Sequence, residues 1–178
     1  MAKKWKPLFE NSKLARLFII CAYDPENQSY LDKIKKKLVG FFDKIDFEIN
    51  FASLLPVPSL YTIHREYSMY HLLSFQRLIS REELVDIRLK TLSIELQNQK
   101  DGFPLIELDP GYVTGEQIVR TSLIEESHKI YLYKKVFAET LLYYDKGSFK
   151  PFIHTPKFFR SPDIITTFND LRLIYVTN

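Results

Sequence analysis

One segment limits the fold more than any other. Residues 16–23, Arg-Leu-Phe-Ile-Ile-Cys-Ala-Tyr, are almost wholly apolar and rich in β-branched and aromatic side chains. A run of that length and composition, without polar alternation, reads as a buried strand. Asp24-Pro25 follows as a helix start, Asp at the N-cap and Pro at the first helical position. Leu31, Ile34, Leu38 and Phe41 then recur at three- and four-residue spacing, which makes one apolar helix face. Ile45, Phe47, Ile49 and Phe51 alternate with Asp46, Glu48 and Asn50, the pattern of a half-buried strand. The chain therefore opens β-α-β.

The pattern repeats. Residues 53–71 are a connection broken by Pro56 and Pro58 and dense in tyrosine; a connection of that length is often functional. Residues 72–79 predict a strand. Ser80 and Glu83 form a capping box. A helix with Val85, Leu89, Leu92 and Leu96 on one face runs to about Asn98, and residues 103–108 predict the next strand. Asp109-Pro110-Gly111-Tyr112 has the chemistry of a turn, and Thr114 with Gln117 predicts a short capped helix. Residues 129–133 and 136–144 pair as strands. The loop Asp145-Lys146-Gly147 turns residues 149–153 back, and Ser161-Pro162-Asp163 starts a last helix with Ile164, Phe168, Leu171 and Tyr175 on one face. The expected class is α+β: a ferredoxin-like β-α-β-β-α-β core, extended by a C-terminal antiparallel hairpin sheet and a terminal helix, in a single domain over residues 1–178.

Composition excludes several classes. A chain that is 46% hydrophobic and 15% aromatic is not disordered. With 25 Lys and Arg against 22 Asp and Glu, the net charge of +3 gives no electrostatic footprint for a nucleic-acid partner. The densest basic run, Lys33 to Lys37, lies on the first helix and reads as its solvated face. The single cysteine, Cys21, permits no internal disulfide and sits in the buried strand, so it reads as a small hydrophobe. No stretch approaches the ~20 apolar residues of a membrane helix, and no signal-peptide core is present. The expectation is a cytoplasmic protein with no membrane partner.

Neither phosphate-loop glycine pattern occurs, since the five glycines are scattered. There is no His-Glu-x-x-His motif and no nucleophile elbow. His64 and His154 lack the threonine two residues on that a paired His-x-Thr phosphoesterase needs. What remains is a set of polar residues at unexpected places. Asp109 follows an apolar strand, and its turn feeds the helix start at Thr114, whose free amides favour anions. Glu139 lies among Phe137, Leu141 and Tyr143, where an acid is costly unless paired. His128 precedes the strand Ile-Tyr-Leu-Tyr and has the right chemistry for proton transfer or metal ligation. Arg77 is a carboxylate or phosphate fork. Lys90 reads as a snorkelling side chain.

The blocks SFQRLI (74–79), LVDIRLKT (84–91), LDPGY (108–112), SHKIYLY (127–133) and FAETLLYY (137–144) resemble the domain of unknown function 4416 family of bacteria and archaea. LDPGY followed by the Ser-His-x-Ile-Tyr-Leu block is the specific part. By that resemblance, Glu66 is the acidic residue of the connection. The chain departs from the family pattern at Tyr67-Ser68, at Glu107 and at His154-Thr155-Pro156. The resemblance implies no activity, because the family is itself uncharacterised.

Two functional readings follow. In the first, Asp109, Tyr112, Thr114, His128, Glu139, Arg77 and Glu66 converge in one cleft that binds, or acts on, a small polar or anionic ligand, with carboxylates and histidine able to hold a divalent metal or to divide acid and base roles. In the second, the 14 Phe and 11 Tyr serve an interface of a non-catalytic accessory protein, a homodimer being one form of it. RNA binding on exposed sheet aromatics is a third and weaker reading. Convergence in a concave site separates the first from the others.

Overall fold

A computed structural model describes residues 14–52 and 67–177. Strand β1 (Ala15–Tyr23) leads through a 3-10 turn to helix α1 (Gln28–Phe42), then β2 (Ile45–Ala52) and β3 (Met69–Ile79). Helix α2 (Leu84–Leu96) follows, then a two-residue hairpin of β4 (Gln99–Lys100) and β5 (Phe103–Pro104). The chain continues through β6 (Ile106–Val113), β7 (Gln117–Ser122), β8 (Ile130–Tyr133), β9 (Val136–Asp145) and β10 (Ser148–Pro151), and ends in α3 (Pro162–Thr177). The class is α+β. The sheet is antiparallel throughout, in the order β10-β9-β7-β6-β1-β3-β2, with β8 paired on β9.

The position of β1 explains its composition. It lies between β3 and β6, and every residue in it is buried. Alternate strand side chains point to opposite faces. Leu17, Ile19, Cys21 and Tyr23 enter one apolar cluster with Leu31, Ile34 and Leu38 of α1 and Leu84, Ile87 and Ile94 of α2. Phe18 and Ile20 enter the other, with Phe168 and Leu171 of α3 and with Phe158 and Phe159 of a 3-10 turn over Lys157–Arg160. Phe18 meets Phe168 edge to face at 5.1 Å. Burying each such ring contributes about 2–3 kcal/mol. A strand covered on both sides has no polar face to show, hence the unbroken apolar run.

Several expectations need correction. LDPGY is not a turn. Its residues lie inside β6, paired with β1 from Cys21↔Leu108 to Leu17↔Tyr112. Glycine is required at 111 for space: a Cβ there would stand 2.4 Å from the Phe18 ring and 2.4 Å from the Val119 carbonyl. No helix starts at Thr114. The Thr114 hydroxyl accepts from the N–H groups of Glu116 and Gln117 in a tight turn between β6 and β7. The same Thr-to-amide bonding that caps a helix here closes a hairpin. β3 begins at Met69, three residues before the expected start. In α1 the buried ring is Phe42, and Phe41 is exposed.

The apolar face expected for α2 is also not the buried one. Leu96 is exposed, and the buried residues are Leu84, Ile87, Arg88, Thr91, Ile94 and Glu95. The Ser80–Glu83 capping box is present as expected. Cys21 is fully buried, and burial pushes its thiol pKa up, so it is inert. No helix among the described residues is long and apolar enough to cross a membrane.

Candidate functional site

The site grows out of a parting of strands. The β6–β7 ladder runs from Val113↔Ile118 to Gly111↔Arg120 and stops. Pro110 has no N–H to donate, so pairing beyond this point is weakened. Other groups satisfy the backbone that β7 leaves behind. The Thr121 hydroxyl donates to the Pro110 carbonyl at 3.1 Å. Leu108 donates its N–H to Glu95 at 2.6 Å, and its carbonyl accepts from Arg88 at 2.8 Å. Arg88 and Glu95 pair at 3.1 Å with no exposure worth noting. Their burial explains why α2 hides charged residues: they complete a strand edge.

On the opposite face of the sheet, at the same level, lies a second charged group. Asp109 on β6, Arg120 on β7 and Glu139 on β9 stand side by side on three consecutive strands. Arg120 donates from one terminal nitrogen to Asp109 at 3.1 Å and from Nε to Glu139 Oε2 at 3.0 Å. Its guanidinium also lies over the Phe159 ring at 5.2 Å. All three side chains are at most 7% exposed. Burial holds the Asp109 carboxyl above its ordinary pKa, partly offset by the Arg120 charge. Oδ1 of Asp109 has no hydrogen-bond partner among the described residues.

The network opens toward solvent through histidine. Glu139 Oε1, the oxygen Arg120 does not bind, lies 3.2 Å from His128 Nε2. His128 sits on the turn before β8 and is about a quarter exposed. Its ring stacks on that of His154 at 4.3 Å, and His154 stacks in turn on Phe152 at 5.2 Å. His154 lies on the turn after β10, with Nε2 2.9 Å from the Thr140 carbonyl. A carbonyl can only accept, so Nε2 carries a proton, and in the neutral ring Nδ1 is then the nitrogen with the lone pair. Donor atoms of His128, Glu139 and His154 lie within 4.8 Å of one another, and imidazole with carboxylate suits a transition-metal ion.

Of the seven candidates, Asp109, His128 and Glu139 come together. Tyr112 points to the α1/α2 face, where burial raises its phenol pKa and the Arg81 guanidinium lies 5.9 Å from its ring. Thr114 lines a separate cleft of about 360 Å³ with Arg81, Gly115, Glu116, Gln117 and Tyr175. Arg77 is half exposed and bonded to Glu83 at 2.7 Å. Glu66 lies outside the described residues, as does His64. Lys90 rests over the Phe41 ring at 4.2 Å, the snorkelling expected. Sequence reasoning missed Arg120. The available signal was an arginine directly after Ile118 and Val119 and on the same strand face as Ile118. No local pattern in the sequence joins His154 to His128, which lies on a different turn.

A family model, Domain of unknown function (DUF4416), matches residues 13–175. The chain belongs to this family. No curated protein matches the chain, and no solved structure does. The family match covers β1 to α3, and so spans every element that carries Asp109, Arg120, Glu139, His128 and His154.

Proposed function

We propose that the chain binds, or acts on, a small polar or anionic ligand at the Asp109–Arg120–Glu139–His128–His154 constellation. The observation that carries this reading is convergence. Five polar side chains from three strands and two turns meet on one sheet face, buried at one end and reaching solvent at the histidines. Burying charge at this density costs stability, and such groups cluster where ligands are handled. The order β6-β1-β3-β2, with α1 and α2 linking the strands, favours a ferredoxin-like core. The constellation then lies where that core joins its C-terminal extension. A lone buried cysteine supports a cytoplasmic setting.

The test is thermal unfolding with a panel of nucleotides, phosphorylated metabolites and small carboxylates, on wild type and Asp109→Asn. A ligand that binds only the folded state raises the melting temperature. The reading expects a shift in wild type that is lost or reduced in the variant; a shift of equal size in both proteins would place the ligand elsewhere.

One observation favours the second reading, a protein interface. Ile130, Tyr131, Leu132 and Tyr133 of β8 are 68%, 58%, 39% and 60% exposed, an apolar strip that few solvated strands carry. Sedimentation of wild type and Tyr131→Lys checks it: self-association abolished by the lysine supports an interface there.

A further inference from the structure

We propose that His128, Glu139 and His154 form a centre for one divalent transition-metal ion of the zinc or ferrous-iron class. The proposal rests on the site described under the proposed function and names what that site holds. Two ligands of one ion, each about 2.1 Å from it and 90–110° apart, stand about 3.0–3.4 Å from each other. His128 Nε2 and Glu139 Oε1 are 3.2 Å apart. An ion replaces the single proton between them with little movement. The third donor, on His154, lies within 4.8 Å of the others. Closing the remaining gap needs a shift of the turn that carries His154, with its bond to Thr140 kept.

The supporting groups are those a metal ligand set requires. Ligating histidines donate their second ring nitrogen to a carbonyl or carboxylate, which fixes the tautomer and the ring plane. His154 does so to Thr140. Ligating carboxylates are held by hydrogen bonds to the other oxygen. Glu139 Oε2 receives Arg120 Nε, which leaves Oε1 free to ligate, and Asp109 matches the second side of the Arg120 fork. Asp109 and Arg120 are thus positioning residues.

The donor set also selects the ion. Two imidazoles and one carboxylate suit zinc, ferrous iron, cobalt or nickel, whereas magnesium and calcium prefer all-oxygen shells. Three protein ligands leave one or more positions open to water or to an exchangeable ligand. That accounts for how an anionic ligand is held, since both carboxylates already match the Arg120 charge.

The test is titration of chelator-stripped protein with Co²⁺, followed by visible absorption, and with Zn²⁺, followed by calorimetry. Wild type, His128→Ala, His154→Ala and the control His71→Ala are compared. His128 and His154 lie on turns, and circular dichroism verifies that their variants fold. The proposal expects one ion per chain in wild type and in the control. Each site variant loses more than about 100-fold in affinity, beyond the 10–100-fold that loss of a supporting partner costs. Absence of stoichiometric Co²⁺ and Zn²⁺ binding by wild type overturns it, as does undiminished binding by both site variants. If metal fails while a metal-free ligand still stabilises wild type and not Asp109→Asn, this inference falls and the broader reading stands.

Discussion

Two buried charge networks flank neighbouring residues of one strand, and they differ in whether they reach solvent. Arg88 and Glu95 serve Leu108 from the α2 side: they bond to each other, and among their further bonds are those to Thr91 and to the Leu108 backbone. Both side chains are shut off from solvent. Asp109, Arg120 and Glu139 lie on the other face, where a Glu139 oxygen reaches His128, which is about a quarter exposed. The first network completes a strand edge. The second runs from buried carboxylates to a histidine that reaches solvent. Buried charge alone therefore does not mark a site; buried charge beside a route to solvent does.

The contrast can be broken or sharpened by substitution. The largest effect is expected at Arg88. Arg88→Ala leaves Glu95 as a buried charge without its counter-ion and costs about 3–5 kcal/mol in chemical denaturation. Replacing both partners, Arg88→Met with Glu95→Leu, recovers most of that loss, because two apolar groups need no counter-charge. Failure of the double variant to recover would mean that the bonds to Leu108 dominate.

Glu139→Gln comes next, at about 1–3 kcal/mol, because Arg120 keeps Asp109 and the amide oxygen still accepts. The same denaturation series measures it. A loss as large as that of Arg88→Ala would make the two networks alike.

Asp109→Asn is expected within about 1 kcal/mol of wild type near neutral pH, since the replacement removes a desolvated charge and keeps an acceptor for Arg120. The pH dependence carries the sign. The folded-state pKa of Asp109 lies above the unfolded value. Its contribution is fully present below the unfolded pKa, about 3.9, and is lost as pH rises through the folded value. Denaturation of both proteins across a pH series should show the variant gaining on wild type with rising pH, and a variant that falls behind would contradict the assignment. The smallest effect is at His154→Ala, within about 0.5 kcal/mol by the same assay, as for a turn residue outside the core.

The same contrast explains what could be read from the chain. β1, α1, the β8–β9–β10 meander and α3 were legible because their apolar patterns are intact along the chain. LDPGY was misread because Pro-Gly usually punctuates a strand. Here each serves the strand: Gly111 makes room for Phe18 and Val119, and Pro110 sits where the β7 ladder has ended. The face of α2 was misread because it hides Arg88 and Glu95, which apolar counting places outside. At the site, Glu139 was legible as an acid among apolar neighbours. Arg120 and the His128–His154 stack were not, since they meet only through strand pairing and two distant turns.

The most direct test of the central claim compares ligand-induced stabilisation in two variants, Arg88→Met/Glu95→Leu and Glu139→Gln, each against wild type. Thermal unfolding is followed with and without Zn²⁺. The account predicts that the metal-induced rise in melting temperature survives replacement of the α2 pair and disappears in Glu139→Gln. A rise that survives in Glu139→Gln, or that is lost only with the α2 pair, would contradict it.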